Sequence, residues 1–207
     1  MLPVDADLRV DQPPPYVGRG GLKLEGFLER FEISVENLEI LDLGSSTGGF
    51  TDCLLQSGAK SATCVDVGSG QLHGKLRNDR RIHVCEGLNV RHLETGDLPL
   101  PAYDLVTMDL SFISLRMTLE RAWSFVRPGG KLIVLVKPQF EATKEEADAG
   151  RGIIRDPLIH ERVVEEISAF VRERLSKNLL IGRMESPLRG AEGNMEFLLG
   201  WEKAIDG

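Results

Sequence analysis

Apolar and polar positions along this chain recur with two periods, and the switches between them mark its elements. In "VGRGGLKLEGFLERF", Leu24, Phe27, Leu28 and Phe31 fall at helical spacing, so a helix is expected behind the pair Gly20 and Gly21. The apolar run "LEILDL" reads as a strand that breaks at Gly44 into a glycine-rich turn, and a helix follows from Gly49 to Ser57. "SATCVDVG" is a second strand ending in Asp66. A short helix over Gln71 to Arg77 leads to a third strand, "RIHVCEG". "YDLVTMDLSF" is a fourth, and "SLRMTLERAWSFV" returns to helical spacing until "RPGG", which reads as its C-terminal cap.

"KLIVLVKP" is apolar on both faces, which suits a central strand covered on both sides. Gln139 to Asp156 reads as a long loop. A helix from Pro157 to Leu175 follows, with proline in its first turn. "NLLIGRM" and "MEFLLGW" are two strands joined by "LRGAEGN". A last strand reached by a short loop must run antiparallel to its neighbour. Strands alternating with helices imply an α/β fold, a doubly wound and mostly parallel sheet with helices on both faces. Residues Met1 to Tyr16, with prolines at 13, 14 and 15, read as a leader or linker, and 17–207 as one domain.

Composition narrows the class. The 207 residues are 42% apolar and 28% charged, ordinary for a globular protein, and no apolar run approaches the ~20 residues of a membrane helix. The chain reads as cytoplasmic. Cys53, Cys64 and Cys85 lie far apart and fit buried, reduced thiols; with the scattered His73, His83, His92 and His160 they form no ligand spacing, so no metal is expected. The net charge of −7 weighs against a protein that coats nucleic acid, yet leaves room for a local basic surface, since Arg19, Lys23, Lys75, Arg77, Arg80 and Arg81 crowd the first half.

The turn "DLGSSTGGF" presents backbone amides and a helix start to a ligand. Gly44, Gly48 and Gly49 approach a dinucleotide fingerprint without matching it. Asp66 ends the next strand about 20 residues on, where a carboxylate can accept from both ribose hydroxyls. The ligand is therefore an adenosine cofactor. S-adenosylmethionine is favoured over a dinucleotide, because the late packing glycine is missing and the terminal strand is antiparallel. Asn89, after the third strand, either reaches the adenine end or is a plain polar loop residue.

Charges also stand where strands end. Asp109 closes the fourth strand and Lys137 the fifth, at the edge where open parallel sheets bind ligands. A lysine after "LIVLV" either snorkels to water or is held by partners. Glu196, in "NMEFLLGW", is either an edge residue or the partner of a buried cation.

The order Lys23, Asp109, Lys137, Glu196 resembles the Lys-Asp-Lys-Glu tetrad of the FtsJ-like ribose 2′-O-methyltransferases. "RGGLKLEG", "LDLGSSTGGFTDCLLQ", "VDVGSGQL", "DLSFISL", "LVKPQFE", "RDPLIH" and "GNMEFLL" resemble the signatures of one branch, the TlyA (hemolysin A) family of ribosomal RNA methyltransferases. The resemblance implies a Rossmann-like, S-adenosylmethionine-dependent fold of seven strands. It implies methylation of a ribose 2′-hydroxyl, by family a cytidine, in ribosomal RNA or ribosomal subunits. Lys137 would be the base, Lys23 and Asp109 would orient the hydroxyl, and Glu196 would position the lysines. Gly44, Ser45, Ser46, Thr47, Gly48 and Gly49 would hold the methionine end of the cofactor, Asp66 its ribose, with Asn89 and Asp109 beside it. Members usually carry a small RNA-binding domain before the catalytic one. Only the proline-bearing leader precedes it here, so weak RNA binding by this chain alone is expected. Two alternatives are methylation of another nucleophile, and a membrane-active, non-catalytic hemolysin-like protein.

Overall fold

The computed structural model describes residues 14–190 and 192–205, so the leader up to Pro13 lies outside the described residues. Helix α1 (Gly20–Arg30) precedes β1 (Glu39–Leu43), α2 (Gly49–Gln56), β2 (Ser61–Asp66), α3 (Gly74–Arg77) and β3 (Ile82–Glu86). Then come β4 (Tyr103–Met108), α4 (Leu119–Ser124), β5 (Val126–Val136), α5 (Pro138–Glu141) and α6 (Lys144–Ala149). The chain ends with α7 (Pro157–Arg174), β6 (Asn178–Glu185) and β7 (Phe197–Lys203).

The strands form one sheet in the order β3-β2-β1-β4-β5-β7-β6. The first five are parallel neighbours, and β7 runs antiparallel to both β5 and β6, as the pattern predicts. Strand order reverses between β1 and β4, which opens a crevice at their carboxyl ends.

Both faces are covered. Leu132, Val134 and Val136 of β5 pack with Leu119 and Trp123 of α4 and Val163 and Ile167 of α7. Ile133 and Leu135, pointing the other way, pack with Phe27 of α1 and Leu54 of α2. Helix α1 lies close on the last two strands because two glycines make room. A Cβ on Gly200 would stand 2.7 Å from the Phe27 ring, and one on Gly182 would overlap the ring of Phe31. All three cysteines are free and buried, and burial pushes their thiols up.

Three local expectations are corrected. "RPGG" does not cap a helix; it lies inside β5 as a bulge, with Val126 paired to Tyr103 and Lys131 already paired to Leu105. Gly129 takes the positive φ of 77° that the bulge needs, and the Arg127 guanidinium ties it to Glu39 and Asp104 at 2.6 and 2.8 Å. The helix expected over "SLRMTLERAWSFV" is broken at Thr118, whose hydroxyl donates to Leu115 O and closes a 3-10 turn, Leu115–Met117, before α4 begins. The expected long loop holds α5 and α6, the second opened by a reciprocal capping box between Thr143 and Glu146.

One buried acid sits behind the crevice. Asp42, in the middle of β1, is 0% exposed, and its carboxylate accepts from Thr51 Oγ1 at 2.6 Å and Thr107 Oγ1 at 2.8 Å. Burial pushes the carboxyl up from the ordinary 3.8 to about 6; the two hydroxyls oppose the rise and nearby Asp109 adds to it. The folded protein thus holds this proton at higher pH than the unfolded chain does. Asp42's contribution to stability is fully present below about pH 4 and falls by about 3 kcal/mol as pH rises through about 6. Asp42→Asn, which cannot ionise, should gain stability relative to the unsubstituted protein across that window. Urea unfolding at pH 4.5 and 7.5 checks this; a difference independent of pH would show that Asp42 does not titrate there.

Candidate active site

The four charges of the expected tetrad come together as two ion pairs. Asp109 and Lys137 directly follow β4 and β5, which are parallel neighbours, so their side chains leave the sheet at the same edge. Lys137 Nζ lies 2.6 Å from Asp109 Oδ1 and donates to Ser111 Oγ at 2.9 Å. Asp109 Oδ1 is buried, and the Lys137 ammonium is the charge that meets it. Lys23, one turn inside α1, is only 8% exposed, and its ammonium donates to Glu196 Oε2 at 2.5 Å; Glu196 is 3% exposed. A lysine this deeply covered is rare without a partner.

The start of α1 links the pairs. Gly20 lies beside Asp109, and a Cβ there would stand 3.7 Å from Asp109 Oδ2 and 3.2 Å from the Phe50 ring. Gly21 packs on Tyr16, leaving no room for a side chain. The glycine pair therefore lets a helix begin against the sheet edge, and Lys23 follows on the face that meets Glu196.

A cavity of about 730 Å³ opens beside Asp109 at the reversal of strand order. Gly44, Ser46, Asp66 and Asn89 line it on one side and Leu110 and Ile113 on the other. Gly44 has φ 83°, and a Cβ there would come within 2.7 Å of Asp109 O, so glycine is required where β1 meets the loop after β4. Asp66 accepts from Ser46 N and Gly68 N, both at 2.8 Å, which fixes its carboxylate at the cavity wall. Asn89 Oδ1 accepts from Arg91 N at 3.0 Å and caps a 3-10 turn.

The rest of the glycine turn shapes the wall from behind and does not line it. Ser45 is buried, with its amide on Val65 O; Thr47 O accepts from His73 N. Gly48 yields space to Leu72 and Leu76, and a Cβ on Gly49 would lie 3.1 Å from Gly18 O. A carboxylate, an amide side chain, turn amides and apolar walls are the donor set and shape that an adenosine cofactor needs. The residues fit the group.

The family model described as FtsJ-like methyltransferase matches residues 16–203. The chain belongs to that family. It is 44% identical to the candidate rRNA methyltransferase YqxC of Bacillus subtilis (strain 168), over 95% of this chain and 70% of that protein. It is 41% identical to the 16S/23S rRNA (cytidine-2′-O)-methyltransferase TlyA of Mycobacterium tuberculosis (strain ATCC 25618 / H37Rv), over 91% of this chain and 69% of that one. A solved structure of a candidate hemolysin from Lactococcus lactis superposes with TM-score 0.86 at 40% identity, covering 91% of this chain and 89% of the other.

Two parts of this FtsJ-like site escaped the sequence reading. Phe112, in the loop after Asp109, is 91% exposed at a positive φ of 63°, with its ring 5.2 Å from that of Phe140. An unburied aromatic on a left-handed backbone is costly for folding alone. Glu141, four residues after Lys137, is buried, and its carboxylate accepts from Ser114 Oγ and Leu115 N, each at 2.6 Å. The segment that carries Lys137 thus also holds the loop that supplies Ser111 and Phe112. Burial pushes the Glu141 carboxyl up, against the pull of those two donors. Only the quoted "DLSFISL" and "LVKPQFE" carried a signal for either residue, and neither pattern shows exposure or pairing.

Glu141→Ala should leave a buried amide unpaired and cost about 1–3 kcal/mol of stability. Glu141→Gln can satisfy both groups with one bond reversed, Ser114 then accepting, and should cost less than half of that. Denaturant unfolding of the two variants checks this; equal losses would place Glu141's role in its charge rather than its bonds.

Proposed function

We propose that this chain transfers a methyl group from S-adenosylmethionine to a ribose 2′-hydroxyl of ribosomal RNA, on a cytidine, with Lys23, Asp109, Lys137 and Glu196 as the working residues. The observation that carries the reading is a pair of lysine–carboxylate contacts, Lys137 with Asp109 and Lys23 with Glu196. Asp109 lines the cavity that also holds Gly44, Asp66 and Asn89, and the helix bearing Lys23 begins against Asp109. The rRNA (cytidine-2′-O)-methyltransferase named among its relatives supports the substrate class. A ribosomal partner and a cytoplasmic location follow from the same reading, and among the described residues no helix is long and apolar enough to cross a membrane.

Asp66 and Asn89 would hold the ribose and adenine of the cofactor, and the turn around Gly44 and Ser46 its methionine end. When bound, the cofactor supplies an activated methyl group for in-line displacement. A 2′-hydroxyl is a weak nucleophile, so the protein must take its proton. Lys137 would take that proton at Nζ, with Asp109 at 2.6 Å to balance the positive charge. Ser111 fixes the amine's direction. Lys23, its charge matched by Glu196, would supply a second, fixed donor to orient the hydroxyl. Phe112 offers an exposed ring on which a nucleobase can stack next to the reacting ribose.

Asp66→Ala should weaken cofactor binding by about 1–3 kcal/mol in calorimetry, because it removes the ribose acceptor and loosens Ser46 and Gly68 together. Unchanged affinity would remove Asp66 from the site. Lys137→Ala should bind cofactor normally and slow methyl transfer by about 10²–10⁴-fold, and Lys137→Arg should fail almost as badly, since a guanidinium keeps its proton. Ribosomal particles, labelled cofactor and nucleoside mapping give the assay. An RNA with 2′-deoxyribose at the mapped position should accept no methyl group. Transfer to that RNA would move the reaction to another nucleophile, and an active arginine variant would reduce Lys137 to a fixed charge.

A further inference from the structure

A second cavity, of about 890 Å³, opens at the same edge of the sheet, between α7, the end of β6 and the start of β7. It adjoins the tetrad along the chain: Glu196 turns towards Lys23, while its neighbours Met195 and Phe197 turn the other way and line the cavity.

The cavity is preformed. Asn194, 1% exposed, accepts from Ile154 N and donates to Gly152 O, both at 2.9 Å, and its carbonyl accepts from Gly190 N at 2.9 Å. His160 Nε2 meets Ile154 O at 3.0 Å. Two stretches about 40 residues apart, 152–160 and 190–194, are thereby fixed to one another around an apolar floor of Ile154, Val164, Met195 and Phe197.

Its rim carries both signs. Arg189 donates to Gly193 O at 3.2 Å and accepts, through its own carbonyl, from Arg19 Nη2 at 2.9 Å. Arg183 lies 3.5 Å from Glu165, and Arg155 makes no hydrogen bond or ion pair among the described residues. Glu161, Glu185 and Glu192 also line the space. A bare anion is poorly served by three carboxylates, and a purely apolar ligand by three arginines. A nucleotide suits both, with apolar ring faces, amino groups that donate to carboxylates, and a phosphate for arginine.

We propose that this cavity receives the base of the nucleotide next to the target on the same RNA strand, with its phosphate on Arg155 and Arg189. The inference rests on the RNA reading above, and its test is separate from activity. Methionine methyl NMR places reporters where they are needed. Met184 and Met195 line this cavity, Met117 lines the cofactor cavity, and Met108 is buried in the core.

The probe is a cytidine pentaribonucleotide, titrated with S-adenosylhomocysteine present, alongside a pentamer with a single abasic residue beside the central nucleotide on either side. The intact pentamer should shift the Met184 and Met195 signals and leave Met108 still. One of the two abasic pentamers should lose those shifts, and Arg155→Glu should raise the fitted Kd roughly tenfold. If Met184 and Met195 do not respond, or respond equally to both abasic pentamers and the intact one, the cavity takes no adjacent base and the proposal fails. If they respond as stated while ribosomal particles gain no 2′-O-methyl group, the cavity assignment stands and the proposed reaction fails instead.

Discussion

The buried ion pair between Lys23 and Glu196 is the constraint from which the site's geometry follows. It joins residues 173 positions apart, near the two ends of the described chain. Removing two charges from water costs several kcal/mol each, and their attraction offsets that only with close geometry. The geometry comes from packing on either side of it. On α1 and the residue that ends it, Lys23, Phe27 and Phe31 form one stripe at four-residue spacing. On β7 and the residue before it, Glu196, Leu198 and Gly200 share a face. Phe27 settles over Gly200 and Phe31 over Gly182, and Lys23 then arrives opposite Glu196. Once the helix is so placed, its first residue, Gly20, has nowhere to lie except against Asp109. Apolar packing positions the helix, and the ion pair penalises any register that leaves its charges apart.

The same logic explains what the sequence revealed. A charge that interrupts an apolar run is conspicuous, so Asp109, Lys137 and Glu196 were legible, and the alternation of strand and helix set the sheet. Which lysine meets which carboxylate was not legible. Glu196 was a candidate partner for Lys137, but strand alternation turns it to the α1 face, and Asp109 takes that place from the neighbouring strand. "RPGG" misled because proline and glycine after a helix mark a cap when only local chain is considered. Its strand identity depends on Glu39 and Asp104, which are distant in sequence. Glu141 was hidden for a similar reason. A carboxylate that caps a loop 26 residues away leaves no periodic trace. Local propensity and period were readable; pairings across the sheet were not.

A chain of net charge −7 is an unusual partner for RNA until the charges are sorted by what holds them. Many acids are already matched. Glu39 meets Lys60 and Arg127, Asp52 meets Lys75, and Glu146 and Glu166 share Arg162. Matched pairs contribute little field at a distance, since opposite charges this close cancel beyond a Debye length of about 8 Å. At the edge that carries the two lysine–carboxylate pairs the balance differs. Arg19 spends its guanidinium on a neutral carbonyl, and Arg91 and Arg155 have no acidic partner among the described residues. The net charge therefore describes the whole surface, and the local arginines describe the edge that RNA would meet. On the proposed reading, the carboxylates around the second cavity would give that edge selectivity. Phosphates out of register would face Glu161, Glu185 or Glu192, and a strand in register would meet arginine. A uniformly basic groove would bind RNA more tightly and discriminate less. For an enzyme that must find one ribose among thousands, a mixed edge beside a fixed lysine is the better arrangement.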